Sequence, residues 1–275
     1  MASLSQVLSV TLGASLAYII PNVFELVYPR LEGTFFPLKT PETWQCSPHN
    51  YTTELISFDP LLIYIHDFVT PKEANLIMEA GKDLLVPSPI TGYGSDTKSQ
   101  SRTSWSAPLP DGDTAVQCVL KRAENFMGTL MAPGRDEMGV AQMVHYTASQ
   151  KFDLHHDWFQ QPRLKNGDGA RKRMYNRVAT FFVVLEANCT KGETYFPKAR
   201  PIAPQDRSSE RNRIWREHED GGLAFRPIAG NALFWPNMLA DGSGDPRTLH
   251  AGLPVGEGTK TAMNIWPRTF FGPEA

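Results

Sequence analysis

Cysteine is scarce in this chain, and its scarcity excludes two architectures. Cys46, Cys118 and Cys189 contain no CxxC pair, which removes a cysteine-built zinc site and a disulfide-stapled scaffold. One disulfide and one leftover thiol are what three scattered cysteines allow within a single chain. Surplus positive charge is also lacking: the formal net charge is -2, so there is no chain-wide basic footprint for nucleic acid. Neither an HExxH helix nor an internal repeat is found, which argues against a zinc hydrolase and a solenoid.

What remains is an ordinary globular composition, 41% apolar and 20% charged, in 275 residues. That length supports one core of about 200 residues with an appendage. Near the N-terminus, LSVTLGASLAYII (8–20) reads as an apolar helix interrupted at Pro21, and Glu25 is the first charged residue. A membrane span needs roughly 20 apolar residues, and residues 4–27 just reach that length. A secretory leader normally begins with basic residues, and these are missing. Residues 1–30 are therefore expected to be either a helix packed on the domain or a membrane anchor or uncleaved signal. The sequons Asn50-Tyr51-Thr52 and Asn188-Cys189-Thr190 accept glycans only in the secretory pathway, which favours the endoplasmic reticulum over the cytoplasm.

Residues 31–58 hold several prolines without clear periodicity and read as a linker or arm, which leaves 59–275 as the compact domain. LLIYIHDF (61–68) has strand composition. Thr70-Pro71-Lys72-Glu73 then supplies an N-cap, a Pro at the first helical position and an acidic first turn, predicting a helix to about Asp83. Residues 87–112 are rich in Ser, Gly and Pro and read as loop. Val116, Val119, Leu120, Ala123, Phe126, Met127 and Leu130 recur at threes and fours and mark a second amphipathic helix. Beyond residue 138 the pattern shifts to short strands: GVAQMVHY, KFDLHHDWF, RVATFFVVLEA, GLAFRPI, NALFWPN and KTAMNIWPR. Helices first and strands later predict a mainly β fold with flanking helices, an α+β jelly roll. Two polar insertions, 160–176 and 198–220, are too long for plain hairpin turns and border the expected mouth of the barrel. The stretch 205–213 is expected to be a solvated surface.

The chemistry concentrates in KFDLHHDWF (151–159). On a strand, His155 and Asp157 point to one face and His156 to the other. An imidazole and a carboxylate on one strand face form two-thirds of a facial triad, which holds non-haem Fe(II) and leaves positions open. The third ligand must come from elsewhere. His49 lies in the arm, His218 in a charged loop, and His66 and His145 on strands with no cationic partner nearby. His250 differs, because Lys260 follows within LHAGLPVGEGTK, a stretch that fits a turn between two strands. Such a lysine can neutralise the far carboxylate of a dicarboxylic cosubstrate. Trp158, Phe159, Phe181, Phe182, Phe234 and Trp235 are expected in the core.

These segments resemble the prolyl 4-hydroxylase family of Fe(II)/2-oxoglutarate dioxygenases over roughly residues 60–270. The parts occur in the family's order: Arg102-Thr103-Ser104, VHYTASQKFDLHHDWF, RVATFFVVL, GETYFP, GNALFWPN and DPRTLHAGLPVGEGTKTAMNIW. The resemblance implies a double-stranded β-helix with His155, Asp157 and His250 as iron ligands. It also implies Lys260 on the C5 carboxylate of 2-oxoglutarate, Tyr146 and Thr180 offering hydroxyls to that cosubstrate, and Trp266 and Arg177 facing the substrate. The implied reaction consumes O2, converts 2-oxoglutarate to succinate and CO2, and hydroxylates a C–H bond, with ascorbate as reductant. Peptidyl proline is the expected substrate, with a small molecule of specialised metabolism or a catalytically silent binding domain as alternatives. One departure stands out: after the lysine strand the plant-like pattern is Trp-Ile-His, and this chain has Trp266-Pro267-Arg268. Substrate identity and oligomeric state are left open.

Overall fold

The computed structural model describes residues 44–89, 101–165, 172–203 and 214–272. The expected N-terminal helix (1–30), its membrane association through residues 4–27 and the expected surface at 205–213 lie outside these residues. Among the described residues, no helix is long and apolar enough to cross a membrane. Along the chain, β1 (Thr52–Phe58) and β2 (Leu61–His66) precede α1 (Pro71–Gly81), and β3 (Val86–Pro87) and β4 (Trp105–Pro108) precede α2 (Thr114–Met127). Next come β5 (Asp136–Met138), β6 (Gln142–Tyr146), β7 (Phe152–His155), β8 (Arg163–Leu164), β9 (Met174–Arg177) and β10 (Ala179–Lys191). The last strands are β11 (Thr194–Phe196), β12 (Trp215–Glu217), β13 (Leu223–Phe225), β14 (Ala232–Pro236), β15 (His250–Gly252), β16 (Val255–Ile265) and β17 (Pro267–Phe271).

The strands form an eight-stranded sheet in the order β1-β2-β14-β10-β16-β6-β4-β3, a five-stranded sheet β12-β13-β11-β15-β7, and a four-stranded sheet β5-β17-β9-β8. This is the jelly roll expected from the sequence. Its period-two patterning is plain on β14: Leu233 and Trp235 face the five-stranded sheet and pack with Phe196, Leu223 and Phe225, while Phe234 faces the helices and meets Phe126 of α2 at 5.0 Å. On β10, Phe181 turns outward to Phe68 and Phe126, which leaves Thr180 and Phe182 on the inner face. Trp235, 1% exposed, is the largest fully buried side chain among the described residues, and truncating it to Ala costs about 3–5 kcal/mol by transfer and cavity terms.

Both predicted helices form, and their caps explain their starts. Thr70 accepts from the Glu73 backbone N–H at 3.1 Å and Glu73 accepts from the Thr70 N–H at 2.8 Å, a reciprocal capping box. Glu73 is buried and pairs with Arg122 of α2 at 2.6 Å, so the cap also ties the two helices together. Asp113 caps α2 by accepting from the Val116 N–H.

Three expectations need correction. The arm drawn to residue 58 ends inside the domain, since β1 runs antiparallel to β2 and forms the edge of the large sheet. The loop drawn over 87–112 contains β4, whose pairing with β6 overrides a Ser- and Pro-rich local sequence. The WPR stretch does not close the last strand but opens β17, which pairs with β9 and β5. The disulfide joins Cys46 to Cys118, fastening the arm to α2 and leaving Cys189 as the free thiol.

Candidate metal centre and active-site cavity

Antiparallel pairing of β7 with β15 sets His155 directly opposite His250, with ring centroids 4.3 Å apart. Asp157 follows just past the end of β7, and its two oxygens lie 3.8 Å from His155 Nε2 and 3.8 Å from His250 Nε2. The three donor atoms fall within 4.8 Å of one another. Each imidazole has its Nδ1 bound to a backbone carbonyl, His155 to Asp153 at 2.8 Å and His250 to Thr248 at 2.9 Å. That bond places the ring proton on Nδ1 and turns the Nε2 lone pair towards Asp157, as a metal requires. Apolar rings hold both imidazoles: Phe152 stacks on His155 at 3.5 Å, and Phe196 and Trp235 enclose His250.

Asp157 is positioned from behind. Thr180 Oγ1 donates to Asp157 Oδ2 at 2.8 Å, and Asn237 Nδ2 donates to Thr180 Oγ1 at 2.8 Å. Burial alone would raise the Asp157 carboxyl; the nearby His250, His155 and Arg177 charges and the Thr180 bond hold it down at about 2. Burial, then the neighbouring His250, pushes His155 down to about 3. A carboxylate and neutral imidazoles are the forms that ligate a metal.

The triad lies in a cavity of about 720 Å³. One wall is Tyr146, Phe182 and Thr194. Lys260, 1% exposed, lies beside two of these residues, its Nζ 5.2 Å from the Tyr146 ring and 5.1 Å from that of Phe182. Lys260 pairs with Tyr146 across β16 and β6 and donates to the Gly192 carbonyl at 2.7 Å. Gly192 has φ +79, and an added Cβ would come within 3.1 Å of Val255, so the turn holding that carbonyl favours glycine. Burial pushes the Lys260 ammonium down to about 8. Also on the cavity's lining, the Arg177 guanidinium lies 3.5 Å over the Trp266 ring and donates to the Asp157 carbonyl at 3.3 Å. Burial lowers it to about 10, so it stays charged at neutral pH.

Residues 141–268 match the family described as the 2OG-Fe(II) oxygenase superfamily. Over 218 residues the chain is 32% identical to prolyl 4-hydroxylase 5 of Arabidopsis thaliana, an alignment covering 78% of this chain and 70% of that protein. The chain is a prolyl 4-hydroxylase-like member of the 2OG-Fe(II) oxygenase superfamily. It is also 30% identical over 219 residues to prolyl 4-hydroxylase subunit alpha-3 of Homo sapiens, covering 78% of this chain and 34% of that one. The structure of a viral collagen prolyl hydroxylase from Paramecium Bursaria Chlorella virus-1, in a 2OG complex, shares the fold with TM-score 0.53 at 22% identity, covering 76% of this chain and 96% of that chain.

Fe(II) and 2-oxoglutarate are therefore the oxygenase's cofactors, and the donor set fits them. Two imidazole nitrogens and one carboxylate oxygen converge on one point, and a buried ammonium lies beside the same cavity. His155, Asp157 and His250 come together as the sequence predicts, and His156 turns away to the Pro246 carbonyl. Tyr146, Arg177 and Trp266 all line the cavity. The Thr180 hydroxyl donates to Asp157 Oδ2 at 2.8 Å. Trp158, Phe159 and Phe182, expected in the core, line the cavity, while Phe181, Phe234 and Trp235 are buried as expected. Sequence reading missed Asn237, although its place at the end of NALFWPN, one residue past β14, offered a clue: it is a polar side chain 0% exposed.

Proposed function

We propose that this oxygenase hydroxylates peptidyl proline in the lumen of the endoplasmic reticulum, with ascorbate keeping the iron reduced. The observation that carries the reading is the cross-strand pair His155–His250 closing on Asp157 inside a cavity that also holds Arg177 and Trp266. In this reading His155, Asp157 and His250 hold Fe(II), Tyr146 and Lys260 receive 2-oxoglutarate, and Arg177 and Trp266 face the substrate. Thr180 and Asn237 orient the ligand carboxylate. Bound iron with 2-oxoglutarate and O2 supplies the oxidising chemistry, giving succinate, CO2 and an alcohol from a C–H bond.

The chain's own residues perform the rest. Two neutral imidazoles and one carboxylate leave a divalent ion with net positive charge, which attracts a dianion. Lys260 keeps one N–H on Gly192 and has two left for the far carboxylate, a charge-assisted contact of roughly 1.5–3 kcal/mol. The rings of Phe152, Phe182 and Trp266 limit water at the reacting position. A lumenal location is supported by the Cys46–Cys118 disulfide, since such bonds persist in oxidising compartments. Asn50 and Asn188 of the two sequons are both exposed, as glycan acceptors must be, and the relatives are plant and animal prolyl 4-hydroxylases.

The test is turnover of proline-containing peptides by the iron-loaded protein, reading hydroxyproline and succinate together. Equal formation of the two is the expected result. Succinate formed only at the uncoupled background rate across a broad peptide panel would overturn the peptide reading.

A further inference from the structure

Charge inside the cavity is unbalanced in one direction. A divalent ion on two neutral imidazoles and one carboxylate keeps a single positive charge, Lys260 adds another, and the 2-oxoglutarate dianion answers both. Arg102, Arg163 and Arg177 also line the cavity, and no carboxylate pairs with them among the described residues. The cavity's two carboxylates are already engaged, Asp157 by the triad and Thr180, Asp153 by Lys151 at 2.7 Å.

The three arginines instead rest on rings. Arg102 lies 4.5 Å over Phe152, with its nitrogens on the neutral acceptors Ser104, Pro89 and Gln142. Arg163 and Arg177 share one ring, lying 4.1 Å and 4.8 Å from the Phe159 centroid. The β8–β9 pairing enforces this, because Arg163 is opposite Tyr175, two residues before Arg177 on the same strand face. Two like charges on one ring repel, and an anion seated with them removes the repulsion and adds forked hydrogen bonds. Arg163 makes no side-chain hydrogen bond or ion pair among the described residues.

We infer that the substrate carries a carboxylate, and that Arg163 together with Arg177 holds it beside Phe159 while another carbon of the same substrate is hydroxylated. This rests on the oxygenase reading above and adds a substrate class to it. The carboxylate is either an acidic side chain next to the proline or the free carboxylate of a small substrate, and the experiment separates the two.

The full-length protein, loaded with Mn(II) and 2-oxoglutarate so that nothing turns over, is titrated calorimetrically with end-capped prolyl peptides. These carry Glu, Ala or Lys beside the proline; free proline and prolinamide form a second pair. The Glu peptide should bind about tenfold or more tighter than the Ala peptide, with Lys weakest, and the Glu-to-Ala ratio should shrink as salt rises. In Arg163→Gln the ratio should fall towards one, and in Arg163→Lys it should be partly kept. A ratio measured within one variant does not depend on the fraction folded. Proline favoured over prolinamide, with no peptide bound, would support the carboxylate and overturn the peptide reading. Binding of the peptides with no charge preference in either series would leave the peptide reading standing and overturn this inference. A Glu preference retained in Arg163→Gln would also overturn it.

Discussion

The two ends of the cavity are built on different principles. At the metal end, hydrogen bonds fix the ligand side chains: His155 and His250 each give Nδ1 to a carbonyl, and Asp157 is held by Thr180, which is held by Asn237. Around Phe159 and Trp266, guanidinium groups rest on aromatic rings rather than on carboxylates. Hydrogen bonds fix a geometry, which a ligand set requires. Cation–π contacts hold a charge near a place without consuming its donors, which a binding surface for a variable partner requires. The chemistry is thus preorganised, and selectivity is left to unanswered charge.

The largest predicted effect breaks the metal end outright. Asp157→Ala removes the one anionic donor, and iron stoichiometry should fall from about one to near zero, read by metal analysis after desalting. Lys260→Met comes next. It should weaken 2-oxoglutarate binding by roughly 30-fold or more, the scale of losing one partner of a buried charge pair, with metal stoichiometry kept. Loss of metal as well would mean that the cosubstrate side and the triad are one mechanical unit.

Smaller changes sharpen the contrast. Thr180→Val keeps the side-chain shape and removes the donor to Asp157, so metal affinity should drop by about tenfold, the lower end for outer-layer partners of metal ligands. The fold should be unchanged by thermal unfolding. An unaltered affinity would show that the Asn237–Thr180–Asp157 chain is only packing. The smallest effect is one of pH. Burial sets Lys260 at about 8, so its ammonium is present below that pH and is lost above it. The 2-oxoglutarate affinity should be flat up to about 8 and then fall, approaching tenfold per pH unit. Arg177, lowered only to about 10, keeps its charge through the start of that window. Substrate affinity measured at saturating cosubstrate should therefore not follow the same curve.

The contrast also tells which parts of the protein were legible in its sequence. His155, Asp157, His250 and Lys260 could be read because His155 and Asp157 share one strand face, Lys260 follows His250 across one turn, and the surrounding motifs resemble the prolyl 4-hydroxylase family. The inward faces of β10 and β14 follow from alternation alone. Thr180 could be placed on the correct face but not assigned its partner, since that depends on where Asp157 lands past the end of β7. Arg163 was invisible for a related reason. It sits in a polar stretch that reads as a loop, and only the β8–β9 pairing brings it onto Phe159. Phe159 itself reads as core because strand aromatics usually pack. The Cys46–Cys118 bond joins residues 72 apart in sequence and leaves no local signal in the arm.

The central claim is that His155, Asp157 and His250 hold an iron ion on which 2-oxoglutarate binds. The most direct measurement is anaerobic absorption of the purified protein with Fe(II) and 2-oxoglutarate added separately and together, with His250→Ala alongside. The account predicts a visible charge-transfer band that needs both additions and is lost in the variant. A folded, iron-loaded protein with no such band, or a band of equal strength in His250→Ala, would contradict it.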